Sequence, residues 1–192
     1  MIKTLPILKT RRLILREIED KDCYDMYEYA CLPDIGPSAG WEPHANLSHT
    51  KNIIKLFKGK NDYGQLGVYA IVLKENNKMI GTIELHSYSK NFKAELGYTI
   101  NSKYWGHGYA AEASKAIIAW GFDYLELKRI ECIMFSENFQ SIRVCEKIGL
   151  TFEGERKKGY MLYDGTINDV LCYSIIEEEF YERIRDHTWE KG

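Results

Sequence analysis

The chain has 192 residues, of which 45% are hydrophobic and 28% are charged, and its formal net charge is -2. This length and apolar content suit one domain, which we predict over residues 1–192 with a motif-bearing core over residues 8–177. The small net charge provides no general attraction for nucleic acid or an anionic membrane, so neither is expected as a partner. Five cysteines without a Cys-x-x-Cys pair indicate neither a zinc site nor a disulfide framework. With no signal core and no apolar run near the roughly 20 residues that span a bilayer, we expect a cytoplasmic protein without a metal.

The N-terminal third predicts one strand and two helices. Leu13 to Ile18 forms the strand, and Asp20 is expected to cap the first helix. The inward face of that helix consists of Cys23, Met26, Tyr27 and Ala30. Residues 32–47 contain three prolines and two glycines, which predicts an irregular segment longer than most connections. Ser48 is expected to cap the second helix.

The middle of the chain predicts a hairpin followed by a strand, a helix and another strand. Residues 68–73 and 79–85 are apolar or alternating runs on either side of a polar turn, which is typical of a hairpin. Residues 95–100 predict the next strand, residues 109–124 a helix, and residues 129–135 the strand that follows it. The inward stripe predicted for this helix consists of Ala110, Ala113, Ile117, Trp120 and Tyr124.

The C-terminal third predicts a short helix over residues 138–147, closed by Gly149. Two further runs flank Asp164-Gly165, which is a strong hairpin signal, and residues 177–185 predict a last helical segment. The complete pattern indicates an α/β (α+β) protein with a mixed, mostly antiparallel central sheet of about seven strands flanked by helices.

A glycine-rich stretch lies between the strand at residues 95–100 and the central helix. It reads Tyr104-Trp105-Gly106-His107-Gly108-Tyr109-Ala110-Ala111. Glycines permit a tight turn and close approach of the backbone, and the first turn of a helix offers free N–H groups to an anion. The stretch therefore predicts a phosphate-binding loop, although a helix-entry loop without a ligand is the simpler alternative.

The same stretch also fits the dinucleotide-binding pattern Gly-x-Gly-x-x-Gly/Ala. That interpretation requires an acidic residue about 20 positions further on, at the end of the second strand. Here Glu131 lies near the start of the next strand, and the glycines come in mid-chain after at least three strands. A Rossmann domain is therefore disfavoured, but it stays open at this point.

Several motifs occur in a familiar order along the chain. They are Trp105-Gly106-His107-Gly108-Tyr109-Ala110, Glu112-Ala113, Asn138-x-x-Ser141 and Lys147-Ile148-Gly149-Leu150. In this order they resemble the GNAT superfamily of acetyl-CoA-dependent N-acetyltransferases. Residues 8–16 and the segment Asp164-Gly165-x-x-Asn168-Asp169-Val170 are similar to its RimJ/RimL-like branch, the ribosomal-protein N-acetyltransferase type. The resemblance implies the GNAT fold, acetyl-CoA as cofactor and an amine acceptor.

The resemblance also implies which residues bind the cofactor. The pyrophosphate takes backbone N–H groups from a loop in which Trp105 replaces the Gln or Arg common in the family; the other loop positions are Gly106, His107, Gly108, Tyr109, Ala110 and Ala111. The pantetheine arm pairs with the strand edge at Tyr98, Thr99 and Ile100, where a backbone N–H would hold the oxyanion. Asn138 and Ser141 contact the cofactor, and Asn138 can cap its helix as well.

Acetyl transfer requires a neutral amine, so a general base or a water-holding residue is expected. Glu84 and Glu95 are the candidates, and ordinary outward carboxylates are the alternative. Many GNAT enzymes place an acid tyrosine four residues beyond the position of Ser141, where this chain has Cys145. The Ser141 hydroxyl could replace that acid, or the thiolate could leave unaided. Cys145 itself fits packing better.

The acceptor pocket and the acceptor are the least determined features. Trp41 and His44 could wall the pocket, or they could form a buried aromatic anchor. An α-amine of pKa about 7.7–8.0 asks less of a base than a lysine of about 10.4. A protein N-terminus is therefore favoured, with a small-molecule amine (polyamine, amino acid or antibiotic) or a non-catalytic acyl-CoA sensor as alternatives. An aromatic content of 13% permits a homodimer without locating its face.

Overall fold

The computed structural model describes residues 4–60 and 64–189; residues 1–3, 61–63 and 190–192 of the predicted domain lie outside the described residues. The strands are β1 (Leu8–Lys9), β2 (Leu13–Glu17), β3 (Tyr69–Leu73), β4 (Met79–Ser89), β5 (Lys93–Ile100), β6 (Arg129–Phe135), β7 (Thr151–Met161) and β8 (Ile167–Ile176). The helices are α1 (Cys23–Ala30), α2 (Leu47–Gly59), α3 (Tyr109–Leu125), α4 (Phe139–Lys147) and α5 (Glu177–Arg185).

All the strands in this part of the chain join one open sheet in the order β1-β2-β3-β4-β5-β6-β8-β7. Every neighbouring pair is antiparallel except β5 and β6, which are parallel because α3 crosses between them. The predicted class is confirmed, with eight strands where about seven were expected, because the two-residue β1 pairs with β2. A mostly antiparallel sheet is not the doubly wound parallel sheet of a Rossmann domain, so the dinucleotide interpretation is wrong.

The parallel pair β5 and β6 separates soon after it begins. Its ladder covers residues 93–95 against residues 129–131. Beyond that, β5 continues to Ile100 paired with β4, and β6 continues to Phe135 paired with β8. Residues 96–100 therefore turn one edge of β5 towards a gap in the sheet, where the backbone is open to an extended ligand.

Helices cover both faces of the sheet. On one face α1 and α2 pack through a core that includes Tyr29 and Ile54. On the other face α3, α4 and α5 pack through a larger core that includes Ile117, Phe122 and Phe180, with the last two rings stacked at 4.8 Å. Each such buried side chain stabilises the fold by about 1.5–3 kcal/mol relative to exposure.

The predicted starts of the first two helices are wrong. Asn46, not Ser48, caps α2, because its Oδ1 accepts the N–H of His49 at 2.9 Å. A 3₁₀ turn over Asp20–Asp22 precedes α1, so Asp20 is not its cap. Asp22 is buried there, and its two carboxylate oxygens accept from Arg16 at 2.7 and 2.8 Å. The ion pair fixes the entry to α1 in place of a side-chain cap.

Two predicted inward positions are also corrected. Tyr124 is 77% exposed, because the last turn of α3 turns Leu125 into the core instead, where it is only 6% exposed. In α1 the fully buried ring is Tyr29, whereas Tyr27 is only half-buried. The stripe prediction is confirmed for Ala113, Ile117 and Trp120, which are all buried.

Candidate active site

Residues 105–111 form the glycine loop, which leads from β5 into α3. Gly106 and Gly108 have φ values of +80° and +78°, a conformation that other residues adopt only with strain. The first backbone hydrogen bond of α3 runs from the N–H of Glu112 to the carbonyl of Gly108 at 3.1 Å. Residues 109–111 therefore have amides outside the helix's own hydrogen bonding, at the positive end of the helix dipole. This geometry suits a phosphate.

The side chains of Trp105 and His107 brace the glycine loop itself. The indole Nε1 of Trp105 donates to the carbonyl of Ile100 at 2.8 Å, which ties the loop to the end of β5. The His107 ring lies 2.9 Å from the carbonyl of Trp105 through Nδ1 and stacks on Tyr109. The Trp105 N–H already donates to the carbonyl of Ser102 at 3.2 Å, so Trp105 acts on the loop through its side chain, while the predicted backbone contact of His107 with a cofactor stays a prediction.

Glu112 connects the glycine loop to the N-terminal strands. Its Oε1 accepts from the Thr10 hydroxyl at 2.6 Å and from the Arg12 N–H at 2.8 Å, while the Arg12 side chain pairs with Oε2 at 2.7 Å. Burial tends to raise the pKa of this carboxyl, but these hydrogen bonds outweigh burial and lower it. Glu112 is thus a fixed anion that holds the first turn of α3 against the turn between β1 and β2.

Two cations near Gly108 were missed by the sequence analysis. A Cβ placed on Gly108 would lie 3.4 Å from the ammonium of Lys147 and 3.8 Å from the Arg12 guanidinium. Arg12 is engaged by Glu112 and lies over the Tyr109 ring at 4.4 Å. No hydrogen bond or ion pair of Lys147 is found within residues 4–60 and 64–189. Its charge is therefore available to a phosphate on the glycine loop.

A cavity of about 510 Å³ opens on the other side of the gap between β5 and β6. Its walls bring together all the predicted catalytic and substrate-binding residues and four of the predicted cofactor contacts, with Ser141 in both groups; they are Trp41, His44, Glu84, Glu95, Tyr98, Thr99, Asn138 and Ser141. Ile100 and the glycine loop are not part of the cavity wall. The site thus has two parts, which β5 connects.

Glu95 has the more suitable environment of the two candidate bases. It lies opposite His86 in the β4–β5 register, and its Oε1 is 3.7 Å from the His86 Nε2. Burial raises the pKa of Glu95, while the nearby His86 acts in the opposite direction. His86 was missed, although its place two residues after Glu84 on one strand was a signal. Gly97 makes room for it, because a Cβ there would lie 3.0 Å from the His86 ring.

Glu84 also faces the cavity, but its charge is already matched. Its carboxylate forms a short ion pair with Lys60, and both side chains are largely buried. Lys60 thus already occupies the Glu84 carboxylate, whereas burial raises the pKa of Glu95. The geometry therefore ranks Glu95 above Glu84 as the base.

The start of α4 closes one side of the cavity. Asn138 caps the helix through Oδ1, which accepts the N–H of Ser141 at 3.1 Å. Its Nδ2 donates to the carbonyl of Ser38 at 3.2 Å, so the irregular segment after α1 reaches across to α4. Cys145 is fully buried, in agreement with the packing role that we predicted for it.

Trp41 and His44 combine both of the roles that the sequence left open. Both line the cavity, and their rings lie 5.2 Å apart. His44 is only 5% exposed and shares a 2.9 Å hydrogen bond with the Thr50 hydroxyl. Burial lowers the pKa of His44 to about 4, so its ring is neutral at physiological pH. His44 thus supports the wall, while the half-buried Trp41 faces the cavity.

Among residues 4–60 and 64–189 there is no group of three or more His, Cys, Asp or Glu side chains that could hold a metal ion. None of the helices in the same residues is both long enough and apolar enough to cross a membrane.

Comparison with known proteins identifies the family. Residues 12–151 match the family described as acetyltransferase (GNAT) domain. The chain belongs to the GNAT acetyltransferases. The uncharacterized N-acetyltransferase p20 of Bacillus licheniformis is 30% identical over 90% of this chain and 97% of its own. YdaF of Bacillus subtilis, provisionally named a ribosomal N-acetyltransferase, is 30% identical over 63% of this chain and 66% of its own. This likeness agrees with the RimJ/RimL-like branch.

Solved structures show the same GNAT fold. A GNAT-family acetyltransferase from Bacillus anthracis superposes with a TM-score of 0.81 at 32% identity, covering 91% of this chain and 100% of the other. RimL, described as a ribosomal L7/L12 alpha-N-protein acetyltransferase, was solved with coenzyme A; its TM-score is 0.78 at 18% identity, with 91% of this chain and 99% of RimL covered. Structural neighbours of this GNAT domain thus bind coenzyme A.

Proposed function

We propose that this GNAT enzyme transfers an acetyl group from acetyl-CoA to the α-amine of a protein N-terminus, by direct attack while both substrates are bound. One observation carries the proposal. Glu95 faces the cavity at the point where β5 leaves β6, with the free strand edge following it and the glycine loop beyond. A proton acceptor, a strand edge and an anion site therefore follow one another along a single strand and its loop.

The cofactor half of the proposal fits the residues present. The amides of residues 109–111 and the free ammonium of Lys147 match a pyrophosphate in charge and in hydrogen-bonding capacity. The edge of β5 that faces away from β4 at Tyr98, Thr99 and Ile100 matches the amides of an extended pantetheine arm, except at the Ile100 carbonyl, which accepts from Trp105. Acetyl-CoA would supply the activated acetyl group. The chain would supply position and an N–H for the carbonyl oxygen.

The acceptor half of the proposal rests on charge and pKa. Because burial raises the pKa of Glu95, its carboxylate accepts a proton from the amine more readily than an exposed glutamate does. An α-amine is partly neutral at pH 7, whereas a lysine amine is almost wholly protonated at that pH and must lose its proton before it can attack. The relative YdaF and the fold neighbour RimL, both named for ribosomal-protein acetylation, support a protein N-terminus as the acceptor.

Calorimetric titration tests the cofactor first, with acetyl-CoA and NAD compared at the same concentrations. We expect binding of acetyl-CoA in the micromolar range, a typical value for an enzyme substrate, and none of NAD. A preference for NAD, or no binding of acetyl-CoA, would overturn the proposal.

A matched set of acceptors then tests the amine. One peptide carries a free N-terminus and one internal lysine, its partner is the same peptide with a blocked N-terminus, and spermidine is the third acceptor. We expect acetyl transfer to the free peptide at the N-terminus and not to the blocked peptide. Faster transfer to spermidine or to the lysine would show that the α-amine is not the preferred acceptor. Binding of acetyl-CoA without transfer to any amine would indicate an acyl-CoA sensor.

A further inference from the structure

The side chain of Tyr98 has no assigned role, although its backbone lies on the predicted cofactor edge. Tyr98 lines the cavity, and its hydroxyl oxygen is shielded from solvent; its hydrogen-bonding neighbour is the Ser141 hydroxyl, although no hydrogen bond of full geometry joins the two. A buried hydroxyl that lacks good hydrogen bonds costs about 1–3 kcal/mol, and a bound molecule can supply the missing bond. Because Tyr98 also lines the cavity, its hydroxyl is placed to serve such a molecule.

The groups that surround the Tyr98 hydroxyl belong to two other elements, β6 and α4. Its neighbours are the thiols of Cys132 on β6 and Cys145 on α4, together with the Ser141 hydroxyl. The pKa of Tyr98 is raised well above its usual value, chiefly by burial, so the phenol is protonated at neutral pH. The ring from β5 thus reaches across the gap to the face of α4 that carries Ser141 and Cys145.

The Tyr98 hydroxyl lies in the region where the acid tyrosine expected from the family resemblance is missing. Cys145 occupies the place on α4 where a tyrosine was expected, but it is fully buried and is not part of the cavity wall. Tyr98 lines the cavity beside it and carries the phenol that Cys145 lacks. The chain therefore brings a tyrosine hydroxyl to the same region from the opposite side of the gap.

We propose that Tyr98 assists the departure of the leaving sulfur by donating a hydrogen bond to it from the phenol hydroxyl. As the C–N bond forms, Glu95 takes a proton from the amine. As the thioester C–S bond breaks, its electron pair stays on sulfur, and the thiolate accepts a hydrogen bond from the Tyr98 hydroxyl, which keeps its proton because burial raises its pKa. Solvent then takes the proton from Glu95 and protonates the thiolate as coenzyme A leaves. This inference rests on the proposed acetyl transfer.

The first test compares Tyr98→Phe with Tyr69→Phe. Tyr69 on β3 has an equally buried hydroxyl without a partner, but it is not part of the cavity wall. Both changes remove one oxygen and keep the ring. We expect kcat to fall about 100-fold in Tyr98→Phe, with acetyl-CoA affinity within about twofold of wild type, and no such loss in Tyr69→Phe.

The second test does not depend on turnover. Coenzyme A is bound to wild type and to Tyr98→Phe, and its thiol is titrated by the ultraviolet absorbance of the thiolate. A hydrogen bond from Tyr98 stabilises the thiolate, so we expect roughly tenfold less thiolate in the variant at the same pH. A purely structural role of Tyr98 would leave this titration unchanged.

The outcomes separate this inference from the proposed function. A wild type that turns over while Tyr98→Phe retains more than half of its kcat, or an unchanged thiolate titration, would overturn the role of Tyr98 alone. Loss of acetyl-CoA affinity in a folded Tyr98→Phe protein would make Tyr98 a binding residue and would also overturn it. A wild type that transfers acetyl to no amine would remove both proposals together.

Discussion

The glycine loop and the cavity differ in the groups that they offer to a ligand. The loop offers main-chain amides, and its side chains at Trp105 and His107 mainly hold its own shape. The cavity offers side chains, and its pKa shifts at Glu95 and His44 follow from burial. A loop that binds through its backbone should tolerate most side-chain changes and fail when a glycine is replaced. A cavity that works through side chains should respond to the loss of single functional groups.

Replacement of Gly108 by Asp should have the largest effect on the loop. The change adds a side chain at a φ of +78° and a negative charge where pyrophosphate is expected. We expect acetyl-CoA affinity to fall roughly 100-fold or more, which corresponds to about 2.7 kcal/mol. Calorimetry measures the loss.

Gly165→Asp is the matched control for this change. Gly165 also has a positive φ, +86°, and nothing lies within 4 Å of a Cβ placed there. It occupies the turn between β7 and β8, away from the loop. We expect its acetyl-CoA affinity to match wild type. Unchanged affinity in Gly108→Asp would show that the loop does not bind the cofactor.

Replacement of Glu95 by Gln should have the next largest effect, and it acts on the cavity. The amide is similar in shape but cannot accept the amine proton, so we expect kcat to fall about 100-fold while acetyl-CoA affinity is kept. Glu84→Gln is the comparison, and a smaller loss is expected because Lys60 already holds that carboxylate. Steady-state kinetics on both variants decides between them, and a larger loss in Glu84→Gln would make Glu84 the base.

The pH dependence gives this prediction a second readout. Glu95 must be ionised to act as a base, so wild-type activity should rise with pH through a pKa above the usual 4.5. That limb should disappear in Glu95→Gln. Because the folded state raises this pKa, folded protein binds more protons than unfolded protein, and the stability contributed by Glu95 is lost as pH rises through the raised pKa. At neutral pH, Glu95→Gln should therefore unfold at a higher denaturant concentration than wild type.

The difference between the two regions also explains what the sequence could predict. The glycine loop is local, since Gly106, Gly108 and the helix start at Tyr109 are neighbours along the chain, and the predicted loop and helix agree with the structure. Glu84 and Glu95, the two candidate bases, likewise lie on strands that were predicted, and both line the cavity. Local patterns of this kind need no knowledge of packing.

Other features depend on register and packing, which a single sequence does not contain. The pair of Glu95 with His86 requires the β4–β5 register, which shifts shortly after His86. The approach of the Tyr98 hydroxyl to Ser141 requires the gap between β5 and β6. The prediction that Ser48 caps α2 was wrong for a local reason. Asn46 and Ser48 are both residue types that favour the N-cap, and the sequence alone does not choose between two such residues so close together.

Lys147→Ala should have a smaller effect than Gly108→Asp or Glu95→Gln. It is the most direct test of whether the loop binds through its backbone or through a side chain. The ammonium beside Gly108 would act on the cofactor through a side chain, unlike the backbone amides of the loop. We expect acetyl-CoA affinity to fall about fivefold at low salt, with a smaller loss at high salt because an exposed charge is screened. Lys55→Ala, on the outer face of α2, is the control and should bind normally. A loss in Lys147→Ala as large as that in Gly108→Asp would contradict a loop that binds mainly through its backbone, because the ammonium would then supply most of the affinity.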